Sequence, residues 1–345
     1  MPAPLSHKAL PSAYYGRDMT LRLRVVQSAW ESTATSVASD FGSVVPVVKG
    51  NGYGLGRPSL MPLASQLASD YGDSFVAVGT VYEASEVPDG FTAMVLTPHL
   101  GELPVTLTRD TVLTVGSTVH VDTLAHQGWD SPVVVKVRSS MHRHGVEVAE
   151  LSDLVAHANS SGLNVIGFAF HPPLLTDEND NQDEVRGFLA ELPPNSTVYL
   201  SHLSPESCSA LHDEYPGMNM SIRVGTALWH ADKSLLHLSA DVLSVESVKA
   251  GAKLGYRGVD ATEDGTVVVI GAGTAHGVTT LDGGLSPFHF AQRRLHLVEK
   301  PHMHSSMVFI PHESPTPRVG EWIDVQRPLI TVTADELQWV TSLAK

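Results

Sequence analysis

The chain has 345 residues, with 22 Lys or Arg against 37 Asp or Glu, so its formal net charge is −15. With 42% hydrophobic and only 17% charged residues, the composition is that of a globular enzyme with one large α/β domain and a smaller one, or with two ordinary domains. The negative charge is not relieved by any Lys/Arg run, which excludes nucleic acid and anionic membranes as favoured partners.

The N-terminal segment and the cysteine content narrow the location and the chemistry. Residues 1–18 lack the charged and apolar regions of a secretion signal, and apolar stretches elsewhere are short, so we expect a cytoplasmic protein. The single cysteine, Cys208, excludes an internal disulfide framework and a cysteine-cluster metal site. Without a second signal, a lone thiol is more often a packing residue than a nucleophile.

Eight short runs rich in β-branched residues recur along the chain, each bounded by polar residues, Gly or Pro. Most are apolar on both faces, which is typical of parallel strands buried on both sides. Segments of helical character separate several of them, for example 59–71 and 147–159. This alternation predicts an α/β fold, a (β/α)8 TIM barrel. The predicted strands are 43–49, 75–80, 92–97, 111–115, 132–137, 164–170, 197–201 and 219–224.

After residue 236 the pattern changes to strand-like segments separated by turn residues, without a long amphipathic helix. We therefore divide the chain into a barrel domain, 1–236, and a C-terminal mostly-β domain, 237–345. The first dozen residues, 1–12, are candidates for pairing with the β domain. The acidic and amide-rich run at 176–184 is predicted to be a solvated loop that enters a helix.

Functional groups of such barrels lie at the carboxyl-terminal ends of the strands. Lys49 ends the first predicted strand, where burial would lower the pKa of its amine and prepare it to react with a carbonyl compound. The alternative is a lysine whose amine extends from the strand end into water. Other polar side chains close later strands; these are Arg143, His171, Ser201, Ser204 and Arg223.

The segment that follows Lys49, GNGYGLG, is rich in glycine. It does not fit a dinucleotide-binding motif, because Leu55 and Arg57 occupy the positions where the third glycine belongs. The stretch VVKGNGYGLG resembles the VVKANAYGHG signature of alanine racemases, which are fold-type III pyridoxal-phosphate enzymes. The resemblance implies that Lys49 carries pyridoxal 5'-phosphate and that Tyr53 contacts its phosphate.

Two further barrel segments are similar to segments of the same family in the same order. VVKVRSSMHRHGV (134–146) resembles KLDTGMGRLGV, which implies that Arg143 supports the cofactor's phenolic oxygen and the substrate carboxylate, with Lys136 as its companion. FAFH (168–171) resembles YTHF and implies that His171 lies beside the cofactor.

The remaining matches extend the resemblance to nearly the whole chain. SIRVGTALWH (221–230) resembles VRFGIAMYG, which implies that Arg223 faces the pyridine nitrogen and that Gly225 and Thr226 contact the phosphate. KLGYRGV (253–259) resembles VSYGATY and implies that Tyr256 is the second catalytic base. Ser204 is expected to help bind the phosphate, or else to cap the helix that follows it.

Three departures from the family pattern mark a divergent member. Arg138 replaces the aspartate of the DTGM segment. The family's YADG and CMDQ segments line the substrate mouth, with Met303 as the expected substrate contact. Because both segments differ here, the sequence leaves the identity of the amino acid open; the changed residues are Thr274, His276, His302 and His304.

The resemblance implies an amino-acid racemase, preferably for alanine, in which Lys49 and Tyr256 are bases on opposite faces of the substrate. A tyrosine has an unperturbed pKa of about 10, so it needs tuning, for which His171 and Arg223 are the candidates. The alternatives are a decarboxylase of the same barrel type and a non-catalytic pyridoxal-phosphate-binding paralogue. The cysteine-bearing C-terminal motif of those decarboxylases is not found here.

Assembly and metal content are the last two expectations. In the family, the β domain of one subunit completes the site of the other, so we expect a homodimer in which Tyr256 and Met303 act in trans on a small amino acid. The sequence contains two HxH pairs, but no third ligand follows from spacing, so we predict no metal site. The pairs are His142 with His144 and His302 with His304.

Overall fold

The structure is a computed structural model in which residues 20–174 and 178–343 are described. Its internal contacts divide the chain into two compact units, of which Ser28–Lys233 is one. The other runs from Ser234 onward and includes the segment that ends at Gln27. Strand β1 (Leu21–Val26) belongs to this second unit, whereas the N-terminal dozen residues expected to pair with it lie outside the described residues.

In its described residues, the Ser28–Lys233 unit contains eight parallel strands, one at each predicted position: β2 (Val44–Pro46), β3 (Phe75–Val78), β4 (Thr92–Val95), β5 (Leu113–Val115), β6 (Pro132–Lys136), β7 (Asn164–Ala169), β8 (Thr197–Leu200) and β9 (Asn219–Val224). Six form a sheet in the order β2-β9-β8-β7-β6-β5, and β3 pairs with β4. Parallel bridges Val47–Ala77 and Met94–Val112 join the two sheets into a closed ring. The predicted (β/α)8 barrel is confirmed.

Helices of this unit cover the barrel strands: α1 (Gln27–Phe41), α2 (Arg57–Tyr71), α3 (Thr118–His126), α4 (Leu151–Ser160), α5 (Glu178–Ala190), α6 (Pro205–Glu214) and α7 (Thr226–Trp229). A 3-10 turn at Val148–Glu150 leads into α4. The prediction of a loop at 176–184 is wrong for most of its length, because α5 already begins at Glu178. Among the described helices there is none whose length and apolar character would let it cross a lipid bilayer.

The second unit is a β structure, as predicted for the C-terminal region. Its remaining strands are β10 (Leu236–Val248), β11 (Lys253–Leu254), β12 (Val259–Asp260), β13 (Gly265–Ile270), β14 (Phe288–Phe290), β15 (Arg293–Arg294), β16 (His296–Leu297), β17 (Ser306–Pro311), β18 (Trp322–Val325) and β19 (Glu336–Val340). The long strand β10 pairs antiparallel with β1, β13 and β18. Strand β1 alternates buried and half-buried residues, so one face of its sheet forms the core.

Candidate active site

Lys49 lies where the chain leaves the barrel after β2. The two residues before it are buried and bonded to both neighbouring strands: Val47 donates to the Val224 carbonyl at 2.8 Å, and Val48 donates to that of Ala77 at 2.7 Å. Lys49 as a whole is exposed, but partial burial of its amine lowers its pKa, and the charges of Arg143 and Arg223 lower it further. The surroundings therefore shift the equilibrium of this amine toward its neutral form.

The turn after Lys49 is built on left-handed backbone. Gly50, Gly52, Gly54 and Gly56 have φ between +60° and +88°, a region that favours glycine. Tyr53, within the same turn, has φ +57°. This run of left-handed residues turns the tyrosine back into the barrel, where only 6% of its surface is exposed. The glycine content that distinguishes the sequence motif is thus a backbone requirement.

The Tyr53 hydroxyl lies directly against Gly225. An ideal Cβ on Gly225 would come within 2.0 Å of the Tyr53 oxygen, so position 225 has no room for a side chain. His230 donates from Nε2 to the Tyr53 carbonyl at 2.7 Å, and Trp229 donates from Nε1 to the Val47 carbonyl at 2.8 Å. The segment after β9 is therefore fixed to the Lys49 turn. Burial raises the pKa of Tyr53, which keeps its hydroxyl protonated as a donor.

Arg223 is a buried guanidinium near the end of β9 that pairs only with carbonyl oxygens. It donates to the Phe170 carbonyl at 2.7 Å and, more weakly, to that of Leu200 at 3.4 Å. In the described parts of the chain, no carboxylate forms an ion pair with it. Burial, with the charge of Arg143, lowers the pKa of Arg223 to about 10, so the group stays charged at neutral pH.

Lys136 ends strand β6 and is 3% exposed. Its ammonium has no hydrogen-bond partner within residues 20–174 and 178–343. Burial and the charges of Arg223 and Arg143 lower the pKa of Lys136 to about 7. Lys49, Lys136, Arg143 and Arg223 thus repel one another at one end of the barrel, an arrangement that an anionic ligand would stabilise.

Arg143 lies at the exposed tip of the loop 138–147. At the base of this loop, Arg138 donates to the Gly145 carbonyl at 3.1 Å and to the Glu147 carboxylate at 2.7 Å. Ser139 donates to the His171 carbonyl at 2.7 Å, which ties the loop to the next strand end. The arginine that replaces the family's aspartate therefore closes the loop that carries Arg143.

His171 lies next to His202, a histidine that was not predicted from the sequence to belong to the site. Its ring is 4.4 Å from that of His202, and burial together with the charge of Arg223 holds the pKa of His171 far below its usual range. Burial also lowers the pKa of His144, to about 4, and its Nε2 has no partner among the described residues. His202 directly follows Ser201 at the end of a strand. This position is the signal from which His202 could have been predicted as a site residue.

Ser204 caps helix α6, which is the second of the two roles expected for it. Its hydroxyl accepts from the Ser207 N–H at 3.2 Å and lies 3.3 Å from the Ser207 hydroxyl. Thr226 is the first residue of α7, and Gly225 is its N-cap. Cys208 is buried in α6, and burial raises the pKa of its thiol to about 12, which fits a packing role.

In the β unit, Tyr256 follows the left-handed Gly255 and is 89% exposed. Its N–H donates to Glu299 at 2.8 Å, and the same carboxylate oxygen accepts from His302 at 2.7 Å. The His302 ring lies 4.7 Å from the Tyr256 ring. A cavity of about 360 Å³ opens here; it is lined by Gly255, Tyr256, Val269, His302, Ser305 and Met307.

The two segments that depart from the family pattern lie side by side in the β unit. Thr274 donates from its N–H to the His302 carbonyl, and Ala275 does so to that of Met303, both at 2.8 Å. The rings of His276 and His304 are 6.1 Å apart. Met303 is 66% exposed. Within the described residues, no group of three or more His, Cys, Asp or Glu side chains is placed to hold a metal ion.

Comparisons with known proteins agree with this architecture. The family model "Alanine racemase, N-terminal domain" matches residues 25–233. The alanine racemase of Campylobacter jejuni subsp. doylei is 26% identical over 273 residues, which are 76% of this chain and 80% of that protein.

Two solved structures have the same fold. The alanine racemase from Bartonella henselae with covalently bound pyridoxal phosphate has a TM-score of 0.70 and 18% identity, over 93% of this chain and 99% of that one. The alanine racemase from Bacillus anthracis with bound L-Ala-P has a TM-score of 0.68 and 19% identity, over 94% and 88%. At such identities these structures support the fold alone, whereas the family model covers more than half of the chain. The chain therefore belongs to the alanine racemase family, as a divergent member.

Proposed function

We propose that this protein is a pyridoxal 5'-phosphate-dependent racemase that interconverts L- and D-alanine. The observation that carries the proposal is the group of four cationic side chains at one end of the barrel, beside the Tyr53 hydroxyl and the bare Gly225. Those charges are Lys49, Lys136, Arg143 and Arg223, and together they suit a ligand with several anionic groups.

The residues present fit pyridoxal phosphate. The protonated Tyr53 hydroxyl offers a neutral donor for a phosphate, and it packs directly against the bare backbone of Gly225. Arg223 would face the ring nitrogen and Arg143 the phenolic oxygen. Thr226 and, if its hydroxyl leaves the helix cap, Ser204 would add phosphate contacts. Lys49 would hold the cofactor covalently, because a lowered pKa makes the unprotonated, nucleophilic form of its amine easier to reach.

When bound, pyridoxal phosphate would delocalise the electron pair left on the substrate α-carbon after proton removal. The side chains around the ring then control the fate of that electron pair. Arg223 is held by two carbonyl oxygens and stays charged, so it cannot give up a proton to the ring nitrogen. Limited electron withdrawal favours return of the proton to the α-carbon over side reactions. His171, kept neutral by its surroundings, is placed beside this arginine.

Racemisation requires acid/base groups on both faces of the α-carbon, because a single base tends to return the proton to the face it left. In our proposal the Lys49 amine serves one face and the Tyr256 hydroxyl the other. Tyr256 is 89% exposed and Met303 is 66% exposed, so both are available to a second subunit. We propose a two-fold homodimer in which these two residues complete the partner's site.

The test combines an absorbance spectrum of the purified protein with a chiral assay over a panel of L-amino acids. We expect a yellow protein that forms D-alanine from L-alanine, and a Lys49→Ala variant that loses both properties. Lys249→Ala, which changes a lysine on the β unit's surface, is the matched control and should keep both. Release of carbon dioxide would show a decarboxylase, and bound cofactor without turnover would show a non-catalytic relative; either result would reject the racemase.

A further inference from the structure

Glu83 connects the loop that follows β3 with the turn that follows Lys49. It lies in the loop after β3, with only 14% of its side chain exposed. One carboxylate oxygen accepts from the Gly79 N–H of the same loop at 2.7 Å. The other accepts from the Gly50 N–H, directly after Lys49, at 3.3 Å. A single carboxylate thus joins the ends of two neighbouring barrel strands next to the candidate catalytic lysine.

Arg57 binds the carbonyl group of Gly50, the residue whose N–H is bound by Glu83. Its guanidinium donates to the Gly50 carbonyl and forms a two-pronged contact with Glu86, in which Nε is 2.9 Å from the carboxylate. Another of its nitrogens is 3.9 Å from Glu83. Gly50 therefore has its N–H bound by Glu83 and its carbonyl bound by Arg57. Planar contacts of this kind restrain geometry more strongly than a point charge does.

Gly79 is the spacer that brings Glu83 behind the lysine. An ideal Cβ at position 79 would lie 3.0 Å from the Glu83 carboxylate and 3.2 Å from Lys49 Cβ. The aliphatic part of the Lys49 side chain therefore packs against the backbone of Gly79. The Glu83 carboxylate binds the N–H of the same glycine. A side chain at this position would have to displace one of the two.

Glu83 also opposes the charge around Lys49. Arg143 and Arg223 lower the pKa of the lysine, and among the described groups that act on it, Glu83 is the one carboxylate, which raises that pKa. Loss of this charge would leave the amine surrounded by cations alone. The carboxylate is therefore suited both to fix the lysine and to balance its charge.

We propose that Glu83 and Arg57 are a positioning pair for Lys49, in which both fix the residue after the lysine and Glu83 balances the charge of the amine. Its catalytic meaning rests on the proposed function, since Lys49 matters to turnover only if it holds the cofactor. The placement itself follows from the contacts of Gly50 and Gly79 alone.

The experiment measures Lys49 itself. The full-length chain, dialysed free of any cofactor, is treated with acetic anhydride over a range of pH, and acetylation of Lys49 is quantified by peptide mass spectrometry. Glu83→Gln removes the charge and keeps one acceptor oxygen, whereas Glu83→Ala removes both. Glu191→Gln, an exposed carboxylate on the same unit, is the matched control. Affinity is then measured by titration with pyridoxal 5'-phosphate, and circular dichroism checks the fold.

In Glu83→Gln we expect acetylation of Lys49 to begin at lower pH, with a severalfold higher rate at pH 7, because the neutral amine is favoured when the carboxylate is lost. Glu191→Gln should match the wild type. Glu83→Ala, or Arg57→Lys if that variant does not fold, should bind pyridoxal phosphate about tenfold more weakly, as expected for a lost charge-assisted hydrogen bond.

An acetylation profile of Glu83→Gln that coincides with the wild type, in a folded protein, would overturn the pair. So would unchanged cofactor affinity in Glu83→Ala, or in Arg57→Lys if Glu83→Ala does not fold. Failure of the wild type to bind pyridoxal phosphate would instead reject the proposed function, while the acetylation profiles would still report on Glu83.

Discussion

The two candidate bases, Lys49 and Tyr256, stand on turns of the same local design. Each adjoins a left-handed glycine, Gly50 with φ +60° and Gly255 with φ +65°. In each turn a glutamate accepts from a backbone N–H beside the base: Glu83 from Gly50, and Glu299 from Tyr256. Two units with unrelated architecture thus present a candidate base on the same kind of turn.

The surroundings of the two side chains differ. Around Lys49 the barrel supplies burial and two arginine charges, which change the chemistry of the amine. Tyr256 is 89% exposed, and its immediate contacts are Glu299 and His302. A turn sets the direction of a side chain, but the groups that enclose the side chain set its pKa. The pKa of Lys49 is lowered by groups of its own unit, whereas Tyr256 stands exposed on its turn.

The largest effects test whether the two bases act in one composite site. We expect Lys49→Ala and Tyr256→Phe each to abolish racemisation, and a mixture of the two to regain activity, because one of the two sites in a heterodimer is intact. With random pairing in equal amounts, the ceiling is about one quarter of wild-type sites. Activity is measured by chiral chromatography after subunit exchange. An active monomer, or no recovery after proven exchange, would contradict the composite site.

A methyl group at position 225 tests the enclosed site in the barrel. Gly225→Ala would place a carbon 2.0 Å from the Tyr53 oxygen, so the tyrosine must move. We expect affinity for pyridoxal phosphate to fall about a hundredfold and stability to fall by about 1–3 kcal/mol, as for overpacking. Gly187→Ala is the control, since nothing lies within 4 Å of that helical position. Equal cofactor affinity in both variants would remove Tyr53 from the site.

Glu299→Gln tests the exposed turn that carries Tyr256. The change weakens the contact with the Tyr256 N–H and removes the charge beside His302. We expect kcat to fall about tenfold, in line with the loss of one charge-assisted hydrogen bond, with cofactor affinity unchanged. Steady-state kinetics and cofactor titration measure the two quantities. A loss of cofactor affinity equal to that of Glu83→Ala would mean that the two turns do not serve separate bases.

The last prediction concerns the pH dependence of stability to which Lys136 contributes. Its pKa is about 7 in the folded chain and has its ordinary value near 10.5 when unfolded. Between these values the unfolded state binds more protons, so the cofactor-free protein should gain stability as pH rises from 7 to 9, with a slope of at most about 1.4 kcal/mol per pH unit. Denaturant unfolding of the wild type and of Lys136→Met measures the difference. Equal slopes would show that folding does not lower the pKa of Lys136.

Local patterns of the sequence were enough to predict several features. The eight barrel strands follow from apolar runs whose residues are buried on both faces, and the place of Lys49 follows from the end of the first run. The glycines of GNGYGLG determine the left-handed turn, because that backbone excludes most side chains. The similarity to the alanine racemases suggested the remaining site residues, whose roles stay predictions.

The tertiary structure alone decided which of these groups interact. Glu83 reaches Gly50 because β2 and β3 are neighbours in the barrel, and the Tyr53 hydroxyl meets Gly225 because β9 closes the ring beside β2. These partners are separated along the chain, and each contact depends on strand order and register, which no local pattern encodes. The same holds for the exposure of Tyr256, because exposure is a property of the packed molecule and not of its residue type.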